Sequence, residues 1–424
     1  MAGSTHVAEF IAFRFVAGAS SWSSLAAVPI LISEIVPANI RGAMVDFHAT
    51  MCVVGYMASG WVGFGFYFWT TTGGSNTWRP VIAIQCFWPL CLLVGLLFVP
   101  ESPRWLMMKG RDVEAETILF KLHANPKDPR SGDAAKAEFY QIQKQVALDR
   151  TLGNSWLHIL TKPSYRKRLL LAVTMTGISQ CSGVLVINNY GPLLYRSLGF
   201  SPAKQLIYPA GWNTLSVGLN IIGMILVDRF PRPKYLAFGL LGCTACLIVE
   251  AALVANFVPS DKKVALQAAV AMFFVFLVFY DVCINGTFLS YMGEIFPTHL
   301  RAKGMCAGVA MVALMNIVWL QSAPTAFATI GWKFYLCFII SSTIGAVVIW
   351  ILFPDTNGLP LEEVAAIFGD ADEVAVYQRD IQDNFTLSTD VNRQNTLKGP
   401  HTTGNQGEVI HLETCEDVTA SAVN

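Results

Sequence analysis

The chain has 424 residues, 54% of them hydrophobic and 14% charged, which is more apolar surface than soluble domains of ordinary size can hide. Lipid must therefore be part of its solvent. Lys plus Arg balances Asp plus Glu at 29 each, leaving no basic field for nucleic acid, and no nucleic-acid partner is expected.

Crossing a bilayer core takes roughly 20 helical residues. Apolar runs of that order fall at 7–29, 43–68, 81–99, 169–194, 206–227, 235–257, 265–292, 305–329 and 332–353. Backbone groups in lipid must be satisfied within their own segment, so these nine spans are predicted to be helices. The fold class expected is an all-α membrane protein. Between the third and fourth runs, the polar stretch 104–168 carries two amphipathic pieces, DVEAETILFKL and AEFYQIQKQVALD, read as short surface helices in a cytoplasmic linker. Residues 369–424 are rich in Asp, Glu, Thr, Ser and Asn and lack apolar periodicity, so a disordered tail is expected there.

Lys and Arg are retained on the cytoplasmic side of a membrane. The segment from Pro100 to Arg168 has 13 of them, and the loops with Arg41, with Arg229, Arg232 and Lys234, and with Arg301 and Lys303 lie on the same side of the bilayer. This assigns the linker and the C-terminus to the cytoplasm of what is read as a plasma-membrane protein. The first ten residues, MAGSTHVAEF, have no basic n-region or small-residue cleavage site, so no cleaved signal peptide is expected. Cys243 and Cys246, the closest pair of the ten cysteines, lie on one face of an apolar run and are read as packing residues. No metal site or cofactor is expected, because the zinc-ligand spacings, phosphate loop, HExxH helix and nucleophile elbow are all missing from the sequence. The chain is read as a non-enzyme.

Two segments resemble each other. SEIVPANIRGAM from Ser33 and GEIFPTHLRAKGM from Gly293 share an acid, a proline three residues on and an arginine seven residues on. Trp78-Arg79 then matches Trp332-Lys333, and Pro100-Glu101-Ser102 matches Pro354-Asp355-Thr356. Ordered matches of this kind indicate duplicated halves with a solute site between them. One run precedes Glu34 whereas four lie between Leu169 and Glu294, so the first half is expected to lack the counterparts of three spans. The domains expected are a partial bundle of three spans at 1–103, the linker at 104–168, a six-span bundle at 169–368 and the tail at 369–424.

The motifs SEIVPANIRG, PESPRWL, DRFPRPK, GEIFPTHLRAKG and PDTNGLPLEE resemble, in order and spacing, the sugar porter family of the major facilitator superfamily, particularly its fungal members. The resemblance covers about residues 10 to 365 and includes Arg14, at the place of an arginine that opens the family's fourth span. It implies the major facilitator fold and transport of a sugar or polyol by alternating access, with protons as a candidate co-substrate. The acid to which the family assigns the proton belongs to a first span with no counterpart here. Two other readings stay open: a non-transporting sensor built on the same fold, and a truncated fragment of a sugar transporter.

The resemblance carries cytoplasmic gating onto Glu34, Arg41, Glu101, Arg104, Asp228, Arg229, Glu294, Arg301 and Glu363. A solvated surface network is the alternative, in which each pair contributes about 0–1 kcal/mol. A neutral polyhydroxyl solute needs groups that both donate and accept hydrogen bonds beside an apolar face. Resemblance maps Gln180, Asn213 and Asn316 onto sugar-contacting positions and Tyr190 onto an aromatic near the outer mouth, and Asn189 stands where the family has a second tyrosine. Each could instead hold spans together, which is worth about 0.6 kcal/mol on average. Ser179, Leu185, Leu289 and Ala49 depart from the family's polar or aromatic choices, with His48 and Thr50 beside Ala49 as partial substitutes. Asp281 lies within a span, where a charge costs about 2.5–3.5 kcal/mol on insertion scales. It should face a cavity or a partner, for gating or solute coupling or as a wet structural carboxylate.

Overall fold

A computed structural model describes residues 1–36, 41–69, 78–123, 129–152, 155–197, 200–257, 263–356 and 367–369. The expected tail and Glu363 lie outside them, and of Arg41 only the backbone is described. Among the described residues, nine helical stretches are long and apolar enough to cross a membrane, in the order expected.

The first span is α1 (Val7–Ile35) and the second is α2 (Arg41–Tyr67). The third divides into α3 (Trp78–Ile84) and α4 (Phe87–Gly95). Four short helices make the linker: α5 (Pro103–Met108), α6 (Asp112–His123), α7 (Pro129–Thr151) and α8 (Trp156–Thr161). Both amphipathic pieces are helical, as expected, within α6 and α7. The Ser102 side chain accepts from the Trp105 N–H at 3.3 Å and Pro103 occupies the first turn, so α5 starts with a hydroxyl cap and a residue whose missing donor is not needed. At the other end of α5, the Arg150 guanidinium donates to the carbonyls of Met107 and Met108 at 2.9 and 3.2 Å. Leu106, Met107, Ala115, Leu119, Ile142 and Val146 form a small separate core that holds α5, α6 and α7 together.

The fourth span comprises α9 (Pro163–Gln180) and α10 (Val184–Ser197). It begins six residues before the expected 169, because Arg166, Lys167 and Arg168 continue the helix while ending its apolar signal. The break between α9 and α10 falls at Gly183, whose φ of +91° and close approach to the Phe338 ring both favour a residue without Cβ. Next come α11 (Pro202–Leu226) and α12 (Arg232–Phe257). The seventh span was expected to be one continuous helix. It consists of α13 (Lys263–Tyr280), a π-helical turn at Asp281–Asn285 and α14 (Gly286–Ile295). The last two spans are α15 (Thr298–Thr329) and α16 (Phe334–Leu352).

The main apolar core is drawn almost wholly from α9 onward, with Ala49 as the contribution of α2. Cys243 and Cys246 are buried, unpaired thiols within it. Between the first three spans and the last six, α2 packs along α11 and against α14, while α1 packs against α15. Where α2 meets α11, a Cβ on Gly60 would lie 3.3 Å from the Ala210 Cα, a closeness typical of small residues at helix crossings in membranes. The Trp61 indole donates to the Thr214 hydroxyl at 2.8 Å across the same seam.

Candidate functional site

The repeat seen in the sequence reappears in the hydrogen bonds. Glu34, in the last turn of α1, accepts from the Ser102 hydroxyl, and Glu294, in the last turn of α14, accepts from the Thr356 hydroxyl. Ser102 and Thr356 are themselves repeat partners. The carboxylates therefore end their spans in equivalent ways, each holding the hydroxyl that follows the next proline motif of its own half.

In the second half this contact belongs to a larger network. Arg232, at the start of α12 and only 3% exposed, donates to Glu294 at 2.5 Å and to Asp228 at 3.1 Å, while its backbone N–H donates to Asp355 at 3.2 Å. In the sequence Arg232 is one loop cation among several in the DRFPRPK motif, where the two prolines around it are the sign of a fixed loop. Arg301 is buried, Arg229 and Glu101 are exposed, and Arg104 is half-buried in the first turn of α5. The linker is tied in by His123, which bonds the Ile35 carbonyl at 2.8 Å, and by His299, which lies 3.6 Å from Asp149. Arg168 is 1% exposed, donates to the Ile295 carbonyl at 3.0 Å and stacks on Phe368 with 4.6 Å to the ring centroid.

The candidate solute contacts occupy adjoining helices of the second half, with α9 and α10 packed on α15 and α10 packed on α11. Gln180 ends α9, is 3% exposed and lies beside the Tyr280 hydroxyl. Asn213 is buried on α11. Tyr190 sits at a kink in α10, and its hydroxyl donates to the Leu320 carbonyl of α15 at 2.8 Å. The amides of Asn316 and Asn189 each donate to the carbonyl one turn back on their own helix, at 3.0 and 2.8 Å. Their amide oxygens are the groups left to accept from a solute, and Asn189 is exposed. Beside the buried Ala49, the Thr50 hydroxyl turns back to the Asp46 carbonyl at 3.1 Å, and His48 has a buried Nε2 with no hydrogen-bond partner.

Asp281 opens the π turn and accepts from the Ser216 hydroxyl of α11; Asn220, which accepts from Asn285 at 2.8 Å, completes the set. The extra residue of a π turn frees backbone and redirects side chains, and such turns gather at functional sites. Asp281, Asn220, Gly223 and Asp46 line one narrow crevice. Asp46, on α2, was not singled out from the sequence because a lone acid near a span's end reads like any other loop charge. Among the described residues, no group of three or more His, Cys, Asp or Glu could hold a metal ion.

Among the described residues, nine apolar helices with buried polar residues clustered between them mark an integral membrane protein. The chain belongs to the Sugar (and other) transporter family, whose model matches residues 1–368; it is a transporter and not an enzyme. It is 29% identical over 371 residues to the MFS-type transporter criB of Aspergillus cristatus, covering 87% of this chain and 75% of that one. It is 30% identical over 363 residues to the putative metabolite transport protein YncC of Bacillus subtilis, covering 84% and 74%. To the high-affinity glucose transporter of Kluyveromyces lactis it is 26% identical over 380 residues, covering 86% and 68%. Among solved structures, the proton:xylose symporter XylE bound to 6-bromo-6-deoxy-D-glucose aligns with a TM-score of 0.69 at 22% identity, covering 81% of this chain and 71% of that one. Inward-open XylE from E. coli aligns at 0.60 with 22% identity, covering 80% and 68%. These likenesses establish the fold.

Proposed function

We propose that this transporter carries a neutral polyhydroxylated solute, a sugar or polyol, by alternating access, with protons as its co-substrate. The observation that carries the reading is Gln180, an uncharged donor and acceptor buried at the break of the fourth span beside Tyr280, with Asn213 buried on the neighbouring α11. A buried amide presents both a donor and an acceptor to a hydroxyl, whereas a charged solute would call for a fixed opposite charge. Names among the relatives support the solute class: glucose for the Kluyveromyces protein and xylose with protons for XylE.

In this reading residues 1–103 and 169–368 are the two moving bundles, and the 104–168 linker and the 369–424 tail are cytoplasmic in a plasma-membrane protein. Glu34, Arg41, Glu101, Arg104, Asp228, Arg229, Glu294 and Arg301 close the cytoplasmic side, and Arg232 holds Glu294 in place for that role. Asn316, Tyr190 and Asn189 complete the solute path.

The test is uptake of a panel of labelled sugars, polyols and charged solutes in cells lacking their own hexose carriers. Saturable uptake of a neutral sugar or polyol is expected. Gln180→Ala should weaken it about tenfold in apparent affinity, the equivalent of one buried hydrogen bond of about 1–1.5 kcal/mol. Uptake confined to charged solutes, or a Gln180→Ala protein with unchanged KM, refutes the reading.

A further inference from the structure

Three buried carboxylates, Asp46, Glu250 and Asp281, are left without a task by the transport reading, and of these Asp46 is the one bonded across the seam between the first three spans and the last six. It is 3% exposed on α2, among the first three spans, and one of its oxygens accepts from the Ser290 hydroxyl of α14, among the last six, at 2.7 Å. The other oxygen, Oδ2, is buried and has no hydrogen-bond partner. A Cβ on Gly286 would lie 3.0 Å from that carboxyl, so the glycine leaves Oδ2 facing the crevice that Asp46 lines together with Asp281, Asn220 and Thr287. The crevice has no room for a water molecule.

The charged neighbours decide what Oδ2 can bind. Arg232 of α12, Asp228 at the end of α11 and Glu294 of α14 act on Asp46 electrostatically, as does the Tyr235 hydroxyl of α12. Arg232 already serves Glu294 and Asp228, so these neighbours bring more negative charge than positive. Asp281 faces the same crevice but is held on its own side by Ser216 and Asn220. On α1, which packs on α2, Glu34 is engaged by Ser102. An oxygen in a dry site, bare of hydrogen-bond donors and with an excess of carboxylates nearby, calls for a cation. A space too narrow for water suits a proton better than a metal ion with its shell of ligands.

We infer that Asp46 is a proton-binding group of this transporter, loaded and unloaded as its contact with Ser290 opens and closes between the first three spans and the last six. The inference rests on the transport reading above and goes beyond it by naming the group. A hydronium ion of the adjoining solvent gives its proton to Oδ2 when the seam between α2 and α14 is open, leaving water, and the neutral acid is the form buried when the seam closes. The same proton returns to water when the seam opens toward the other side. No other bond is made or broken. Because the Asp46–Ser290 bond joins helices that must move relative to each other during alternating access, protonation and conformation are linked at one contact.

Two measurements on the purified full-length protein test this. An infrared pH titration in detergent needs no solute. One component of the carboxylic acid C=O absorption that titrates in the parent should be lost in Asp46→Asn and retained in Asp281→Asn and in Glu250→Gln. A spectrum unchanged by Asp46→Asn overturns the assignment even where that variant transports nothing. In proteoliposomes with an inward proton gradient, the parent should accumulate its sugar or polyol above equilibrium, and Asp46→Asn should bring that level back to equilibrium. Accumulation that survives in Asp46→Asn also overturns it. If the parent moves no sugar or polyol, the solute reading fails, and the infrared titration still decides on Asp46.

Discussion

The first three spans and the last six are equally suited to lipid by composition, yet they are packed in opposite ways. In the apolar stretches of the first three, 11%, 17% and none of the residues are buried within the protein; in the last six the shares are 61%, 44%, 50%, 50%, 22% and 33%. Phe15, Leu97 and Phe98 are more than three-quarters exposed, whereas α9, α12, α13, α15 and α16 close around one core. In water such a contrast would signal an unstable half. In lipid the exposed apolar faces are already in a matching solvent, and what holds helices together is steric fit and polar contact. The comparison therefore separates two kinds of cohesion: interdigitation and a buried ion network in the last six spans, and a seam along α2 that attaches the first three.

The largest effect should come from breaking the buried network. Arg232→Ala empties a site only 3% exposed and leaves Glu294, itself 26% exposed, without its cation, which should cost about 3 kcal/mol, the lower end for a buried pair. Thermal unfolding in detergent should show a large drop in Tm, and an unchanged Tm would mean that the network is wet. A middle effect is expected from overpacking. A Cβ on Gly242 would collide with Cδ1 of Phe279, so Gly242→Val should cost about 1–3 kcal/mol. Gly63→Ala in the second span meets nothing within 4 Å and should stay within about 0.5 kcal/mol of the parent; equal costs at the two sites would erase the proposed contrast. The smallest effect concerns the seam. Trp61→Phe removes the bond to Thr214 and should cost about 0.6 kcal/mol, detectable as easier proteolytic separation of the first three spans with little change in overall Tm.

The parts that were predictable depend on local pattern. Nine spans, the linker helices α6 and α7, and the duplicated Glu and proline motifs follow from hydropathy, helical periodicity and spacing. The pairing of Ser102 with Glu34 and of Thr356 with Glu294 shows that the repeat reaches down to single hydrogen bonds. Helix ends were harder. Pro163–Arg168 and Arg232–Lys234 extend their spans with charged residues, so the apolar signal ends before the helix does. Asp46 and Arg232 were missed because each is one charge among several near a span's end, and burial depends on which helix lies opposite.

Composition and periodicity were enough for the membrane, the helices and the family motifs, since each of these depends on a residue and its near neighbours along the chain. Which carboxylate meets which cation, where the seventh span takes its π turn at Asp281, and why one oxygen of Asp46 is left bare follow from contacts between residues 62 to 244 positions apart. Those contacts exist only once the helices have packed.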